Sequence, residues 1–237
     1  MEMITFPDGV DPQSSQKEDE SIKPAERFPD LRSAGRELAL QLEKYRRAED
    51  VVVLAIALGG VLVAHEVTKF LCAPLDLLLI RRLLAPQGAG SQICAVSVGG
   101  SMVIDKAVLP LATVPSTPLE HFVSDAIAEL GHRERICRRG LDPADVAGKT
   151  VILVDCGIRT GSTMQAAIAA LRTKEPAKII AAVPVASVGG KAAMAAICDE
   201  FVCIATPLPF GHVGLWYADF SRPGDDRVGE LLEDKTF

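Results

Sequence analysis

The sequence predicts a doubly wound, mainly parallel α/β sheet. Segments of strand character alternate with segments of helical spacing along the chain, the order that builds βαβ units. Ala, Val, Leu and Ile dominate an apolar fraction of 49% while aromatics make up only 5%, which suits helices packed on a β-branched parallel sheet. A Gly/Thr-rich loop joins one apolar strand directly to a helix at 155–163, a loop type that binds phosphate in such sheets.

Residues 1–26, rich in Asp, Glu, Ser, Gln, Lys and Pro, are expected to form a mobile tail ahead of one domain over 27–237. Asp30 is placed to cap a helix over 31–47, with Leu31, Ala34, Leu38 and Leu42 on one face. Val51–Ala57 reads as a buried strand, Gly59-Gly60 as a turn, Val61–Leu71 as a helix and Leu75–Ile80 as the next strand. Residues 83–117 carry four glycines, several prolines and two runs of β character, and predict an irregular flap containing a hairpin that turns near Gly99-Gly100. Pro118–Arg138 reads as a helix with Pro in its first turn and Gly140 past its end. After the Gly/Thr loop and its helix come a strand over Lys178–Val185, a helix over 188–197 capped by Ser187, a strand over Glu200–Ala205, the aromatic segment LWYADF and a helix over 225–234.

The net charge of −6 and the lack of a long basic run argue against a nucleic-acid partner. The longest uncharged apolar stretch, Val51–Ala64, is too short to span a membrane, and MEMITFPDGVDPQ lacks the basic and apolar regions of a signal peptide. Six scattered cysteines without CxxC or a histidine cluster read as reduced thiols in a cytoplasmic protein rather than a zinc site.

The functional signal is KTVILVDCGIRTGST at 149–163. Strand Val151–Val154 delivers Asp155, where a carboxylate can face a ribose diol or hydrated Mg²⁺. Gly157, Ile158, Arg159, Thr160, Gly161, Ser162 and Thr163 follow, with small residues, hydroxyls and a helix N-terminus. Arg159 either pairs with a phosphate, occupies its site or points to solvent. An ordinary βα turn with a hydroxyl cap would use some of the same residues.

This segment resembles the 5-phosphoribosyl-1-pyrophosphate (PRPP) signature of type I phosphoribosyltransferases. From Phe28 to about Glu233 the chain is similar to a stand-alone bacterial subgroup of that family, through FPDLRSAGRELA, Ala57-Leu58-Gly59-Gly60-Val61, LLLIRRLLAP, Ala182–Ala186 and GLWYADF. The resemblance implies the type I phosphoribosyltransferase fold and transfer of the 5-phosphoribosyl group from PRPP to a small nitrogenous, nucleobase-like acceptor with release of pyrophosphate. It implies Mg²⁺ as cofactor and a homodimer.

By the same resemblance, 157–163 would hold the 5′-phosphate, Asp155 the ribose hydroxyls or Mg²⁺, and Leu58, Gly59 and Gly60 the pyrophosphate loop. At most one of Arg81 and Arg82 would reach the pyrophosphate, since strand alternation sends them to opposite faces, and a solvated charge pair at the strand end is the alternative. Phe210, Trp216 and Asp219 would build the acceptor side, with core packing the alternative for the aromatics and the expected fate of Tyr217. Three departures touch PRPP or its metal: Leu58 for a basic residue, Cys156 for the second acid, and a flap, GAGSQICAVSVGG, without its usual acid. Removing two interactions with PRPP at ~2 kcal/mol each would slow transfer about a thousandfold. The alternative function is therefore a degenerate member that binds a ribose phosphate or nucleotide as a regulator or structural partner.

Overall fold

Asp30 opens the fold as predicted. In the computed structural model its carboxylate accepts the Ser33 N–H at 2.6 Å and starts α1 (Leu31–Gln41). The structure describes residues 27–84, 92–97, 102–104 and 116–234. The predicted tail and the flap residues 85–91, 98–101 and 105–115 lie outside them. Helix α1 is shorter than the predicted 31–47. The chain tightens into a 3₁₀ turn at Glu43–Tyr45, and left-handed Arg47 then donates its N–H to Leu71 O.

Strand β1 (Val51–Ile56) passes straight into α2 (Ala57–Leu71), so Leu58, Gly59 and Gly60 form the first helical turn rather than a preceding loop. Strand β2 (Leu75–Leu78) stops where its partner stops, at the pair Ile56↔Leu78. The predicted strand over Leu75–Ile80 is thereby split at Leu79. Beyond it, β3 (Ile80–Leu84) pairs antiparallel with β4 (Gln92–Ser97), and β4 with β5 (Met102–Ile104). The β4–β5 pair is the predicted hairpin. Helix α3 (Ser116–Arg138) places Pro118 in its first turn, and left-handed Gly140 follows its end.

Four further elements match expectation within a few residues: β6 (Thr150–Val154), α4 (Ser162–Arg172), β7 (Lys178–Val185) and α5 (Val188–Ala195). The chain ends with β8 (Glu200–Ala205), a 3₁₀ turn at Val213–Trp216 and α6 (Asp225–Glu233).

Among the described residues the main sheet runs β2-β1-β6-β7-β8, all parallel, and β3-β4-β5 form a smaller sheet. Alternation along the buried strands divides the core. Val53, Ala55, Ile152, Val154, Ile180 and Ala182 face α1, α2, α6 and the aromatic segment. Val52, Leu54, Val151, Leu153, Ile179 and Ala181 face α4 and α5. Both sheet faces are covered, so the doubly wound prediction holds. No helix among the described residues is long and apolar enough to cross a membrane.

Candidate functional site

Strands β2 and β6 flank β1 on opposite sides, so the main sheet reverses its winding between β1 and β6. In open parallel sheets ligands bind at such a point, outside the carboxyl ends of the strands. Here those ends are adjacent, with Ala55 opposite Val154. They emit α2 on one side and the 155–161 loop leading to α4 on the other.

The loop is anchored through its backbone. Ile158 bridges Ala186 at the end of β7, donating its N–H to Val185 O at 2.9 Å and accepting from Ser187 N at 2.8 Å. The Ser187 hydroxyl donates to Arg159 O and accepts from Gly190 N, so one residue caps α5 and holds the loop. Gly157 is required sterically, because an added Cβ would lie 2.7 Å from Val213 Cγ1 and 2.8 Å from Val185 Cγ2. Gly161 holds a left-handed φ of 85°. On either side of it the Thr160 and Ser162 side chains turn together, their hydroxyls 3.1 Å apart.

Among the described residues no side chain caps the start of α2, α4 or α6, whereas Asp30 and Ser187 cap α1 and α5. The first N–H groups of an α-helix have no partner inside it. At the switch point the fold thus directs two such sets of donors, with the positive ends of two helix dipoles, toward one crevice. That arrangement favours an anion.

Asp155 is half-buried between these helices, and its Oδ1 accepts the Cys156 N–H at 2.7 Å. Cys156 is buried, and that burial, reinforced by the adjacent Asp155, pushes its thiol well above the usual cysteine range. That shift favours the protonated thiol over the nucleophilic thiolate. The buried Tyr217 hydroxyl donates to Cys156 O, tying the loop to the aromatic segment.

These donors fit a hard divalent cation such as Mg²⁺, which binds through one or two carboxylates and substrate oxygens. Asp155 offers the carboxylate, while the neutral Cys156 thiol contributes no ligand. Among the described residues no group of three His, Cys, Asp or Glu side chains forms a self-sufficient metal cage.

A phosphoribosyl transferase domain pattern matches residues 26–217, most of the chain. The chain belongs to the phosphoribosyl transferase family. Two Mycobacterium tuberculosis proteins provisionally named phosphoribosyl transferases, from strains H37Rv and CDC 1551, are each 35% identical over 206 residues. The match covers 87% of this chain but 46% of theirs, so the chain spans about half the length of these curated relatives. The crystal structure of TT1426 from Thermus thermophilus is 34% identical, with a TM-score of 0.75 over 87% of this chain and 97% of that one.

On this phosphoribosyl transferase fold, Asp155, Gly157, Ile158, Arg159, Thr160, Gly161, Ser162 and Thr163 stand together at the switch point, with Arg159 exposed. Leu58 is half-buried against the core. Gly59 and Gly60 are buried in the first turn of α2, Gly59 beside the Cys156 and Arg222 side chains and Gly60 against the end of β6. A Cβ on Gly60 would lie 2.6 Å from Val154 O and 3.1 Å from Asp155 Cα, so glycine lets α2 rest on the end of β6.

Arg81 belongs to the smaller sheet, opposite Val96, and its guanidinium pairs with Glu129 of α3. Arg82 lies in the same strand, opposite Ala95. Phe210 and Trp216 are buried, with ring centroids 6.2 Å apart, and the indole N–H donates to Phe210 O at 3.0 Å. They pack the core and offer no open face for stacking. Tyr217 is likewise core, as expected. Asp219 is exposed, its carboxylate accepts the Ser221 N–H, and hydrogen bonds from the Ser221 side chain and N–H hold its pKa below the usual carboxylate value.

Arg222 was not foreseen. A Cβ placed on Gly59 would lie 3.5 Å from Arg222 Nε and 3.1 Å from Cys156 Sγ, which brings the arginine to the switch point. It sits in the polar stretch after the aromatic segment, and no spacing rule in the sequence connects it to Gly59.

Proposed function

We propose that the protein transfers the 5-phosphoribosyl group of PRPP to a small nitrogenous acceptor, releasing pyrophosphate. The observation that carries this reading is the convergence of Asp155 and the Thr160–Ser162 hydroxyls between two helix N-termini that no side chain caps. Loop N–H groups and the Thr160 and Ser162 hydroxyls would hold the 5′-phosphate. Asp155 would bind the ribose diol, directly or through hydrated Mg²⁺. When bound, Mg²⁺ would neutralise charge on the pyrophosphate.

Transfer at the anomeric carbon breaks the bond to pyrophosphate as the acceptor nitrogen approaches, through an oxocarbenium-like state. The residues position the partners and stabilise the departing anion, the two largest contributions available to a site without a strong general base. With Phe210 and Trp216 buried, acceptor recognition would rest on hydrogen bonds rather than on stacking against these rings.

The test is calorimetric titration of PRPP with and without Mg²⁺ against wild type and Asp155→Ala, with ribose 5-phosphate as control. Mg²⁺-dependent PRPP binding, tighter than ribose 5-phosphate and lost in the variant, is the expected result. Equal binding of both ligands, or of neither, would overturn it. One observation favours a second reading, a binding protein without turnover: a buried neutral thiol occupies the position where the family resemblance implies an acid. Tight PRPP binding with no pyrophosphate release across a panel of nucleobases would select that reading.

A further inference from the structure

The diphosphate of PRPP carries more charge than the 5′-phosphate, yet of the residues expected to meet it neither Leu58 nor Arg81 offers an unpaired cation, and the side chain of Arg82 lies outside those described. Leu58 packs on the core, and Arg81 is paired with Glu129. Arg32 and Arg36 both pair with Glu66 on the far side of α2.

The C-terminal segment supplies one. Three backbone hydrogen bonds zip it to the start of the domain: Phe28 N to Trp216 O at 2.8 Å, Ala218 N to Phe28 O at 2.8 Å and Asp219 N to Pro29 O at 3.0 Å. The rings of Phe28, Tyr217 and Phe220 then pack in sequence, with centroids 5.7 and 5.1 Å apart. The Arg222 guanidinium lies 5.0 Å above the Phe220 ring centroid, a cation–π contact that orients it. Its stem crosses Gly59, with Nε and Cδ 3.5 and 3.9 Å from where a Cβ would stand. The side chain is exposed, and no carboxylate among the described residues pairs with it.

From this geometry we infer that Arg222 binds the diphosphate of PRPP at the start of α2, replacing from the C-terminal segment the basic residue that Leu58 lacks. The planar guanidinium presents several donors in a fork that matches phosphate oxygens. Stacking on Phe220 fixes its plane in advance, so less side-chain freedom is lost on binding. The inference rests on the phosphoribosyl-transfer reading and names a residue of its pyrophosphate side.

The test titrates PRPP, inorganic pyrophosphate and ribose 5-phosphate, each with Mg²⁺, against wild type, Arg222→Gln, Arg222→Lys and the Leu58→Arg/Arg222→Gln double variant. Arg222→Gln should weaken PRPP and pyrophosphate by about 10- to 100-fold and leave ribose 5-phosphate unchanged. Arg222→Lys should fall between, because an ammonium keeps the charge without the fork, and Leu58→Arg should recover part of the loss. Unchanged PRPP affinity in Arg222→Gln would overturn the inference while the transfer reading stands. So would an equal loss for ribose 5-phosphate. If wild type fails to bind PRPP, the transfer reading falls. Arg222-dependent binding of pyrophosphate would then still support an anion clamp, and its absence would overturn that too.

Discussion

Gly59 and Gly60 occupy successive positions in the first turn of α2, and the same substitution should affect them differently. At Gly60 the obstacle is backbone: Val154 O at 2.6 Å and Asp155 Cα at 3.1 Å from an added Cβ. Neither atom can yield without moving the end of β6, so overpacking should cost about 1–3 kcal/mol. Against this, alanine gains up to about 0.5–1 kcal/mol over glycine in a helix, and less in a first turn. Gly60→Ala should therefore lose about 1–2 kcal/mol. At Gly59 the neighbours are the Cys156 thiol at 3.1 Å and the Arg222 stem at 3.5 Å, both side chains that can shift by tenths of an ångström. Gly59→Ala should stay within about 0.5 kcal/mol of wild type. Urea denaturation separates the two: with a slope of about 2 kcal/mol/M, Gly60→Ala lowers the midpoint by roughly 0.5–1 M and Gly59→Ala barely moves it. Calorimetry should show the reverse emphasis for Gly59→Ala, with PRPP binding weakened because Arg222 is displaced. Wild-type stability in Gly60→Ala, or a larger loss in Gly59→Ala, would refute the claim that Gly60 is required for helix–strand contact.

Tyr217→Phe leaves the buried Cys156 carbonyl without its donor and should cost about 1–3 kcal/mol in urea melts, with weaker PRPP binding because the loop loses its tether. Asp76→Ala removes one of the two carboxylates that hold the buried Arg138 guanidinium, leaving Glu134, and should cost up to about 3–5 kcal/mol by the same assay. Burial works to raise the Glu200 pKa, but hydrogen bonds from Lys178, Lys44 and Tyr45 outweigh it and hold the carboxyl at about 2. Its folded value is below the ordinary 4.5, so the stability it contributes is present above about pH 4.5 and is lost as pH falls toward 2. With solvent screening this amounts to about 1 kcal/mol, and Glu200→Gln should flatten that part of the acid-denaturation curve. Cys156→Asp would restore a second acid, yet it should weaken PRPP binding by pairing with Arg222. Tighter binding would refute the charge assignment, and Cys156→Ser controls for the change in polarity.

Most of the fold was legible because its signals are local. Asp30 and Ser187 cap the helices they precede, and the buried strands show as apolar runs. The Asp155–Thr163 segment carries strand, acid, loop and helix in one stretch of chain. What escaped was set by contacts between distant segments. Nothing local says that Gly59-Gly60 continues a helix rather than making a turn, because the reason is the end of β6 lying against it. The aromatics of the C-terminal segment have the same residue types whether they stack on a base or fill a core. Only the zip to Phe28 and Pro29 and the internal partner of the Trp216 indole decide for the core.

The charge balance is the least legible feature, because its parts are far apart in sequence. Leu58 alone reads as a lost cation and Cys156 alone as a lost acid, and each alone counts against catalysis. Through space they are one change. A carboxylate at 156 beside Arg222 would form an ion pair across the start of α2 and cancel the charge a diphosphate needs. A thiol there places no second carboxylate beside the guanidinium, and on the proposal that Arg222 meets the diphosphate the cation need not come from position 58. If Arg222 holds the diphosphate, the two departures act together, with the cation of the pyrophosphate side carried by the C-terminal segment instead of the first turn of α2.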